Sequence, residues 1–233
     1  MSRNELQRAT AAREGVSSDA AAALAARFRE VRDFTETLCA PLAIEDYVVQ
    51  TMPDVSPTRW HLAHVSWFFE TLVLKPWVPG YRVFDPAYHH LFNSYYNTLG
   101  EQWPRPRRGE LTRPTVAEVF RYRRHVDQAM TELLEGPAPV PRDLAELVTL
   151  GLHHEQQHQE LLLTDIKHVL AQNPLAPAYR ELPATAPSPV PPLTWESFPE
   201  GLVRIGHAGD GFAYDNETPR HRVFVEPFQL AAR

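Results

Sequence analysis

Apolar residues recur at helical spacing in four stretches of the chain. Ser18 or Asp19 can cap the first helix. Its apolar face consists of Leu24, Phe28, Val31 and Leu38. The second helix begins after "DVSP", with Pro57 at a first-turn position, and runs through "TRWHLAHVSWFFETLVL".

The other two helices follow a long interruption of this pattern. Residues 76 to 114 are rich in Pro, Gly, Arg and Tyr, and a long ordered loop of this kind usually carries function. The third helix follows Pro114, from about residue 115 to 134, and the fourth runs from about residue 141 to 171. These patterns predict a mainly α fold, a four-helix bundle in which facing helices commonly hold metal sites.

A change of composition after Asn173 predicts a domain boundary. The stretch "PLAPAYRELPATAPSPVPP" has seven prolines in nineteen residues and is incompatible with a helix. The sequence beyond it alternates apolar and polar residues around Gly and Asn turns, which is typical of β structure. We therefore expect a helical bundle at 18–172, a proline-rich linker at 173–194 and a β-rich piece at 195–233.

Charge and cysteine content exclude several functions. The net charge of -6 gives no basic field for a nucleic-acid backbone, so we expect no nucleic-acid partner. The single cysteine, Cys39, rules out an internal disulfide and suits a reducing cytoplasm. The N-terminal residues contain no apolar signal core, and nowhere do 18 apolar residues run together. We expect a cytoplasmic protein with no membrane partner.

The segment "GLHHEQQHQELLL", residues 151 to 163, carries the strongest chemical signal. Residues four apart lie on one helical face, so His154 and His158 can converge on one ion, while His153 points about 100° away. Gln157 lies beside this pair. A third ligand is expected from "WHLAHVSWFFE", where His64 shares a face with large aromatic side chains. His61, three residues earlier, is the competing candidate.

The string "HEQQH" also matches the HExxH motif of zinc proteases. In that motif the two histidines bind zinc, and the glutamate, here Glu155, acts as the base. The sequence that follows, "QELLLTDIKHVL", has no Gly-x-x-His extension, and Glu181 falls in the proline-rich stretch rather than on a second helix. We interpret the match as incidental.

Four motifs in order resemble a known family. They are "RWHLAHVSWFFE", "LFNSYYNTLGEQWPRPRRGELTRP", "HHEQQHQELLLTDIKH" and "GDGFAYDNETPRHRV". Together they resemble the sulfoxide synthases of ergothioneine biosynthesis (EgtB, the hercynine oxygenases). In that family a DinB-like four-helix bundle precedes a domain of the formylglycine-generating-enzyme (FGE-sulfatase, sulfatase-modifying-factor) type. The resemblance implies this domain type for residues 195–233.

The resemblance also implies a chemistry. A mononuclear non-haem Fe(II) would be held by His64, His154 and His158. The family joins a thiol, cysteine or γ-glutamylcysteine, to C2 of the imidazole of hercynine with O2, and leaves a sulfoxide. Gln157 would hydrogen-bond the hercynine imidazole, and Tyr95 and Tyr96 would donate a proton in the oxygen chemistry. The other interpretation of these tyrosines is that they pack against the bundle and bond through their hydroxyls.

Arginines in the long loop are candidates for binding a substrate carboxylate, since a guanidinium matches that group with two parallel hydrogen bonds. The four in question are Arg105, Arg107, Arg108 and Arg113. We expect one of them to serve this role, and Arg105 and Arg108 are the preferred pair.

Two points leave alternatives open. The family's second domain is much longer than the piece at 195–233, so the sequence is expected to be a fragment of a longer enzyme or a truncated homologue with weak or no turnover. Zinc also accepts three histidines, so a DinB-like metal-dependent thiol transferase or hydrolase is the alternative. A non-catalytic metal-binding or interaction module is a third interpretation.

Overall fold

Long helices make up most of the first part of the chain. The structure is a computed structural model and describes residues 15–94, 100–181, 183 and 189–232. The chain divides into two compact units between residues 181 and 182. Within the described ranges, the first unit contains the α-helices α1 (Ser18–Cys39), α2 (Thr58–Phe68), α3 (Tyr88–Phe92), α4 (Val116–Glu135) and α5 (Arg142–Ala171). The mainly α class predicted from the periodicity is confirmed.

The N-cap of the first helix lies one residue before Ser18, the earlier of the two predicted caps. Ser17 is the N-cap, and its hydroxyl accepts a hydrogen bond from the Ala20 amide over 3.2 Å. Two adjacent serines offer the same cap chemistry, so the sequence could not separate them. Phe28 and Val31 are buried as predicted. The face also buries Arg32, whose guanidinium forms salt bridges with Asp127 of α4 and Glu155 of α5.

Helix α2 is the centre of the bundle, and every one of its residues is buried. It continues as a π-helical segment, Phe69–Leu74, and ends in the short turn Lys75–Trp77. A helix that is buried on every face must pack against other elements on every side. It packs against α4 and α5, and α1 in turn packs against both of these helices.

Capping and turns position the remaining helices. Thr115 and Glu118 form a reciprocal capping box at the start of α4, in which each side chain accepts from the other residue's amide. The long loop is not featureless, because it contains α3 and a 3-10 turn at Arg105–Glu110. Another 3-10 turn, Ile44–Val48, precedes α2. These turns bring loop side chains back to the bundle.

Gly151 allows α5 to approach the junction between α2 and its π-helical segment. A Cβ at this position would lie 2.6 Å from Phe69 Cε1 and 2.8 Å from Phe68 Cε1. Both rings are fully buried, at 0% and 1% exposure, so they have little room to move.

We predict that Gly151→Ala lowers the free energy of unfolding by about 1–3 kcal/mol, because overpacking outweighs the gain in helix propensity. Urea unfolding followed by circular dichroism measures the change. Gln156→Ala on the exposed face of the same helix is the matched control, and its stability should stay within about 0.5 kcal/mol of the parent protein. A Gly151→Ala protein as stable as that control would contradict the close packing.

The second unit contains short antiparallel strands, as the alternating pattern predicts. They are β1 (Trp195–Phe198), β2 (Gly201–Ile205), β3 (His221–Val225) and β4 (Phe228–Ala231). β1 pairs with β4 and β2 pairs with β3, giving two ribbons in the described part of this unit. Their apolar side chains stay largely exposed, since two-stranded ribbons bury little surface. The domain type assigned to 195–233 stays a prediction.

Across the described ranges, every helix is too short or too polar to cross a lipid bilayer.

Candidate metal centre

A cavity of about 350 Å³ opens between α2, α5 and the loops beside them. Its wall combines imidazoles, guanidiniums and hydroxyls. The described residues that line it are Ser56, Trp60, His61, His64, Ser94, Arg105, Arg108, His154, Gln157, His158 and Leu161. A cavity with a few convergent polar groups of this kind is the usual form of a small-molecule site.

Three histidines meet in the wall of this cavity. His64 comes from α2, while His154 and His158 come from successive turns of α5. One ring nitrogen from each lies within 4.8 Å of the others, and the Nε2 atoms of His64 and His154 are 3.2 Å apart. These are the three residues that the sequence analysis selected, and the structure brings them together.

Aromatic packing fixes the orientation of two of these rings. His64 stacks between Trp60 and Trp67, at interplanar angles of 12° and 13°. His154 stacks on Phe68 with ring centroids 4.8 Å apart. Stacked rings in a dense core cannot rotate freely, so the nitrogens are held in place before any ligand arrives.

The hydrogen bond behind His64 determines its tautomer. Nδ1 lies 2.6 Å from the carbonyl oxygen of Phe92, and a carbonyl only accepts, so Nδ1 donates. A neutral imidazole carries one N–H, and its proton is therefore on Nδ1. The Nε2 atom keeps its lone pair and faces His154.

Burial keeps all three histidines neutral. It lowers the pKa of His154 to about 4. Burial, reinforced by the neighbouring His154, lowers the pKa of His64 well below its ordinary value. Burial and the proximity of His64 act in the same way on the pKa of His158. Near pH 7 each of these imidazoles therefore carries one N–H and one lone pair that can bind a metal ion.

This donor set fits a divalent metal ion. Neutral imidazoles are common ligands of zinc, iron, copper and nickel. Two nitrogens that each lie about 2.0–2.1 Å from one ion are themselves separated by about 3 Å. The observed 3.2 Å between the Nε2 atoms of His64 and His154 matches that spacing. Three protein ligands also leave positions for substrate.

Two arginines lie in the wall beside the histidines. The guanidinium of Arg108 lies 3.3 Å from the ring centroid of Trp60 and donates to the hydroxyls of Ser56 and Ser94. Arg108 is only 3% exposed, and these contacts fix the position of its guanidinium. Arg105 lines the same cavity and donates to the carbonyl of Asp54.

The other loop arginines point elsewhere. Arg107 is exposed and pairs with Glu110 over 2.7 Å. Arg113 donates to the carbonyl of the preceding residue, Thr112. The preferred pair, Arg105 and Arg108, is thus the pair that lines the cavity. Gln157, one residue before His158, also lines it. Tyr95 and Tyr96 lie outside the described residues, and their role stays a prediction.

Glu155 does not have the surroundings of a protease base. It is 1% exposed and accepts hydrogen bonds from Arg32, Arg123 and Thr35 over 2.7 to 2.9 Å. Burial alone would raise its pKa, but the two guanidiniums outweigh that effect and lower it to about 2. A carboxylate held by two arginines is a poor proton acceptor. The geometry agrees with an incidental HExxH match.

His61, the competing candidate for the third ligand, contacts the cluster. Its Nδ1 lies 2.9 Å from Nδ1 of His158, and its Nε2 lies 3.0 Å from Asp165. The position of Asp165 in this cluster was not predicted from the sequence. A signal was present, because Asp165 follows His158 by seven residues, which returns to the same helical face after two turns.

Comparison with known proteins places this helical unit in a family. The family model of the DinB superfamily matches residues 27–162, more than half of the 233-residue chain. The chain belongs to the DinB superfamily. The matched region includes all three clustered histidines and the arginines of the cavity.

Curated relatives of this DinB-superfamily chain are named for ergothioneine biosynthesis. The hercynine oxygenase of Mycolicibacterium thermoresistibile is 27% identical over 183 residues, which cover 76% of this chain and 38% of the relative. The hercynine oxygenase of Mycobacterium tuberculosis is 27% identical over 180 residues, or 76% and 40%. The ergothioneine biosynthesis protein 1 of Neurospora crassa is 29% identical over 133 residues, or 52% and 15%.

These matches confirm the resemblance drawn from the motifs. They also set its extent, because the matched region spans two fifths or less of each relative's length.

Proposed function

We propose that this chain carries the metal-binding helical part of a sulfoxide synthase that uses non-haem Fe(II) and O2. The reaction would join the sulfur of cysteine or γ-glutamylcysteine to C2 of the hercynine imidazole. The observation that carries the proposal is the meeting of His64, His154 and His158 in a cavity that also holds Arg108. Relatives named hercynine oxygenase support it.

The proposed reaction balances without a further reductant. The thiol S–H and the imidazole C2–H bonds break, and a carbon–sulfur bond forms. One oxygen atom becomes the sulfoxide oxygen, and the other leaves as water with the two hydrogens. Sulfur and carbon together supply the four electrons that O2 accepts. The proton transfers need donors near the metal, and Tyr95 and Tyr96 are the proposed ones.

A bound Fe(II) would supply open coordination positions for the thiolate and O2, because only three protein ligands would hold it. Three neutral imidazoles would also leave its positive charge uncompensated, which favours a thiolate. The chain's own side chains would orient the substrates. Gln157, on the helix that carries two of the ligands, would hydrogen-bond the hercynine imidazole. Arg108 and Arg105 would bind the carboxylate of the thiol substrate, since both line the cavity and carry fixed positive charge.

The second candidate is a zinc-dependent thiol transferase or hydrolase. It is favoured by the ligand set itself, because zinc accepts three histidines as readily as iron does. Glu155 would then have to be the base of a hydrolase, yet two arginines hold it. The transferase is the stronger form of this alternative.

Metal content and turnover separate the two candidates. The complete gene product is purified anaerobically, its metal is measured, and it is incubated with hercynine, O2 and each thiol in turn. About one iron per chain and a sulfoxide of the expected mass support the proposal. Zinc that survives iron supplementation favours the transferase. An iron-loaded protein that couples neither thiol contradicts the proposal.

We predict that Arg108→Lys raises the KM for the thiol substrate about tenfold or more, with a smaller change in kcat. Lysine is a point charge and cannot reproduce the flat guanidinium that stacks on Trp60 and reaches both serines. Steady-state kinetics of the iron-loaded protein measure the effect. Arg107→Lys, at an exposed position of the same 3-10 turn, is the matched control and should leave KM unchanged. Equal KM values for the two variants would remove Arg108 from substrate binding.

A further inference from the structure

A series of hydrogen bonds connects His158 to His61 and then to Asp165. Nδ1 of His158 lies 2.9 Å from Nδ1 of His61, and Nε2 of His61 lies 3.0 Å from Oδ2 of Asp165. His61 comes from α2, whereas the other two residues lie on α5. The side chains of His61 and Asp165 are 4% and 13% exposed, so water competes little with these contacts.

The donor and acceptor in each of these two hydrogen bonds follow from the chemistry of the side chains. An ionised carboxylate only accepts, so Nε2 of His61 donates to Asp165. A neutral His61 then accepts at Nδ1, and the donor must be Nδ1 of His158. That leaves the proton of His158 on Nδ1 and a lone pair on Nε2. The opposite direction would put a proton on Nε2 of His158 and prevent that atom from binding a metal.

Asp165 is also linked, through Ser56, to the side of the cavity that holds Arg108. Its Oδ2 accepts from the Ser56 amide over 2.8 Å, and the Ser56 hydroxyl accepts from Arg108 over 2.8 Å. One carboxylate oxygen therefore fixes a partner of the third histidine and a partner of the buried guanidinium. A substitution at Asp165 should therefore alter the positions of both His61 and Ser56, on the two sides of the cavity.

We infer that His61 and Asp165 are positioning residues that hold His158 in the orientation and tautomer needed for metal binding. The inference rests on the proposed metal site and adds its supporting partners. Histidine ligands commonly donate their second ring N–H to an acceptor that fixes the ring, and loss of that acceptor typically costs 10- to 100-fold in metal affinity. In this protein the acceptor is itself a histidine, oriented in turn by a carboxylate.

Cobalt binding tests the inference without turnover. The metal-free protein is titrated with Co²⁺ alone, and both the Kd and the visible absorption spectrum are recorded. We expect His61→Ala to weaken Co²⁺ binding about 10- to 100-fold and to alter the spectrum. His61→Gln should recover part of the affinity, because an amide can accept from His158 and donate to Asp165. Thermal unfolding of each metal-free protein shows whether the fold is kept.

His153→Ala is the matched control, since His153 lies on the same helix α5 and contacts Arg27 over 3.2 Å. It should bind Co²⁺ like the parent protein. Parental affinity and spectrum in His61→Ala would overturn the inference. So would equal losses in His61→Ala and His61→Gln that follow their thermal destabilisation alone. A parent protein that takes up no Co²⁺ would instead remove the metal site itself, and the positioning role with it.

Discussion

Replacing His158 by alanine is expected to remove most of the bound metal. The variant keeps His64 and His154, whose Nε2 atoms are 3.2 Å apart, but two imidazoles are fewer than the three or four protein ligands of typical zinc sites. Changes to outer partners of a metal ligand already cost 10- to 100-fold, so loss of the ligand itself should weaken binding by more than about 100-fold. Metal per chain after anaerobic purification, and a Co²⁺ titration, measure the effect.

The control for this variant is again His153→Ala, five residues earlier on the same helix. It removes an imidazole of equal size that hydrogen-bonds to Arg27. The control should keep its full metal content, and both metal-free proteins should show the same helical circular dichroism spectrum. If His158→Ala retains as much metal as the control, the ion occupies a site other than the three-histidine cluster.

Periodicity was sufficient to pair the two histidines of α5 but not to separate the two histidines of α2. The four-residue spacing of His154 and His158 places them on one face whatever the tertiary structure. Every residue of α2 is buried, so burial does not distinguish His61 from His64. Which imidazole meets the pair depends on how α2 crosses α5, and the sequence pattern does not contain that information.

The loop residues show the same limit more strongly. Four arginines lie between residues 105 and 113 without any helical or strand period. Arg107 and Arg108 are adjacent, yet one is exposed and the other is buried against Trp60. The 3-10 turn at Arg105–Glu110 decides this difference, because successive residues of such a turn point to different sides. Arg105 and Arg108 were preferred from the sequence, but the residue pattern did not show that Arg108 is the buried one.

Glu155 illustrates a local motif whose meaning is tertiary. Its neighbours along the chain suggested a hydrolytic base. Its actual partners, Arg32 and Arg123, are 123 and 32 residues away on α1 and α4. The glutamate therefore joins three helices of the bundle, and it directly follows His154 in the sequence. Its expected contribution is to stability and to the placement of α5.

We predict that Glu155→Gln lowers the free energy of unfolding by about 3–5 kcal/mol, because it leaves buried guanidiniums without their shared carboxylate. Arg32 and Arg123 are 3% and 0% exposed, and their remaining acidic partners, Asp127 and Glu36, are more exposed. Urea unfolding of the metal-free protein measures the change. Glu135→Gln, which breaks the exposed pair with Arg29, is the matched control and should cost less than about 1 kcal/mol.

The acid dependence of stability provides a second, independent readout of Glu155. Its pKa is about 2 in the folded protein, against an ordinary value of 4.5. A lowered carboxyl pKa contributes stability that is fully present above pH 4.5 and is lost as the pH falls toward 2. At 1.36 kcal/mol per pH unit this amounts to about 3 kcal/mol, close to the mutational expectation. Glu155→Gln should lose this part of the acid dependence, whereas Glu135→Gln should keep it. An unchanged acid profile in Glu155→Gln would mean that the two arginines are held by their other partners.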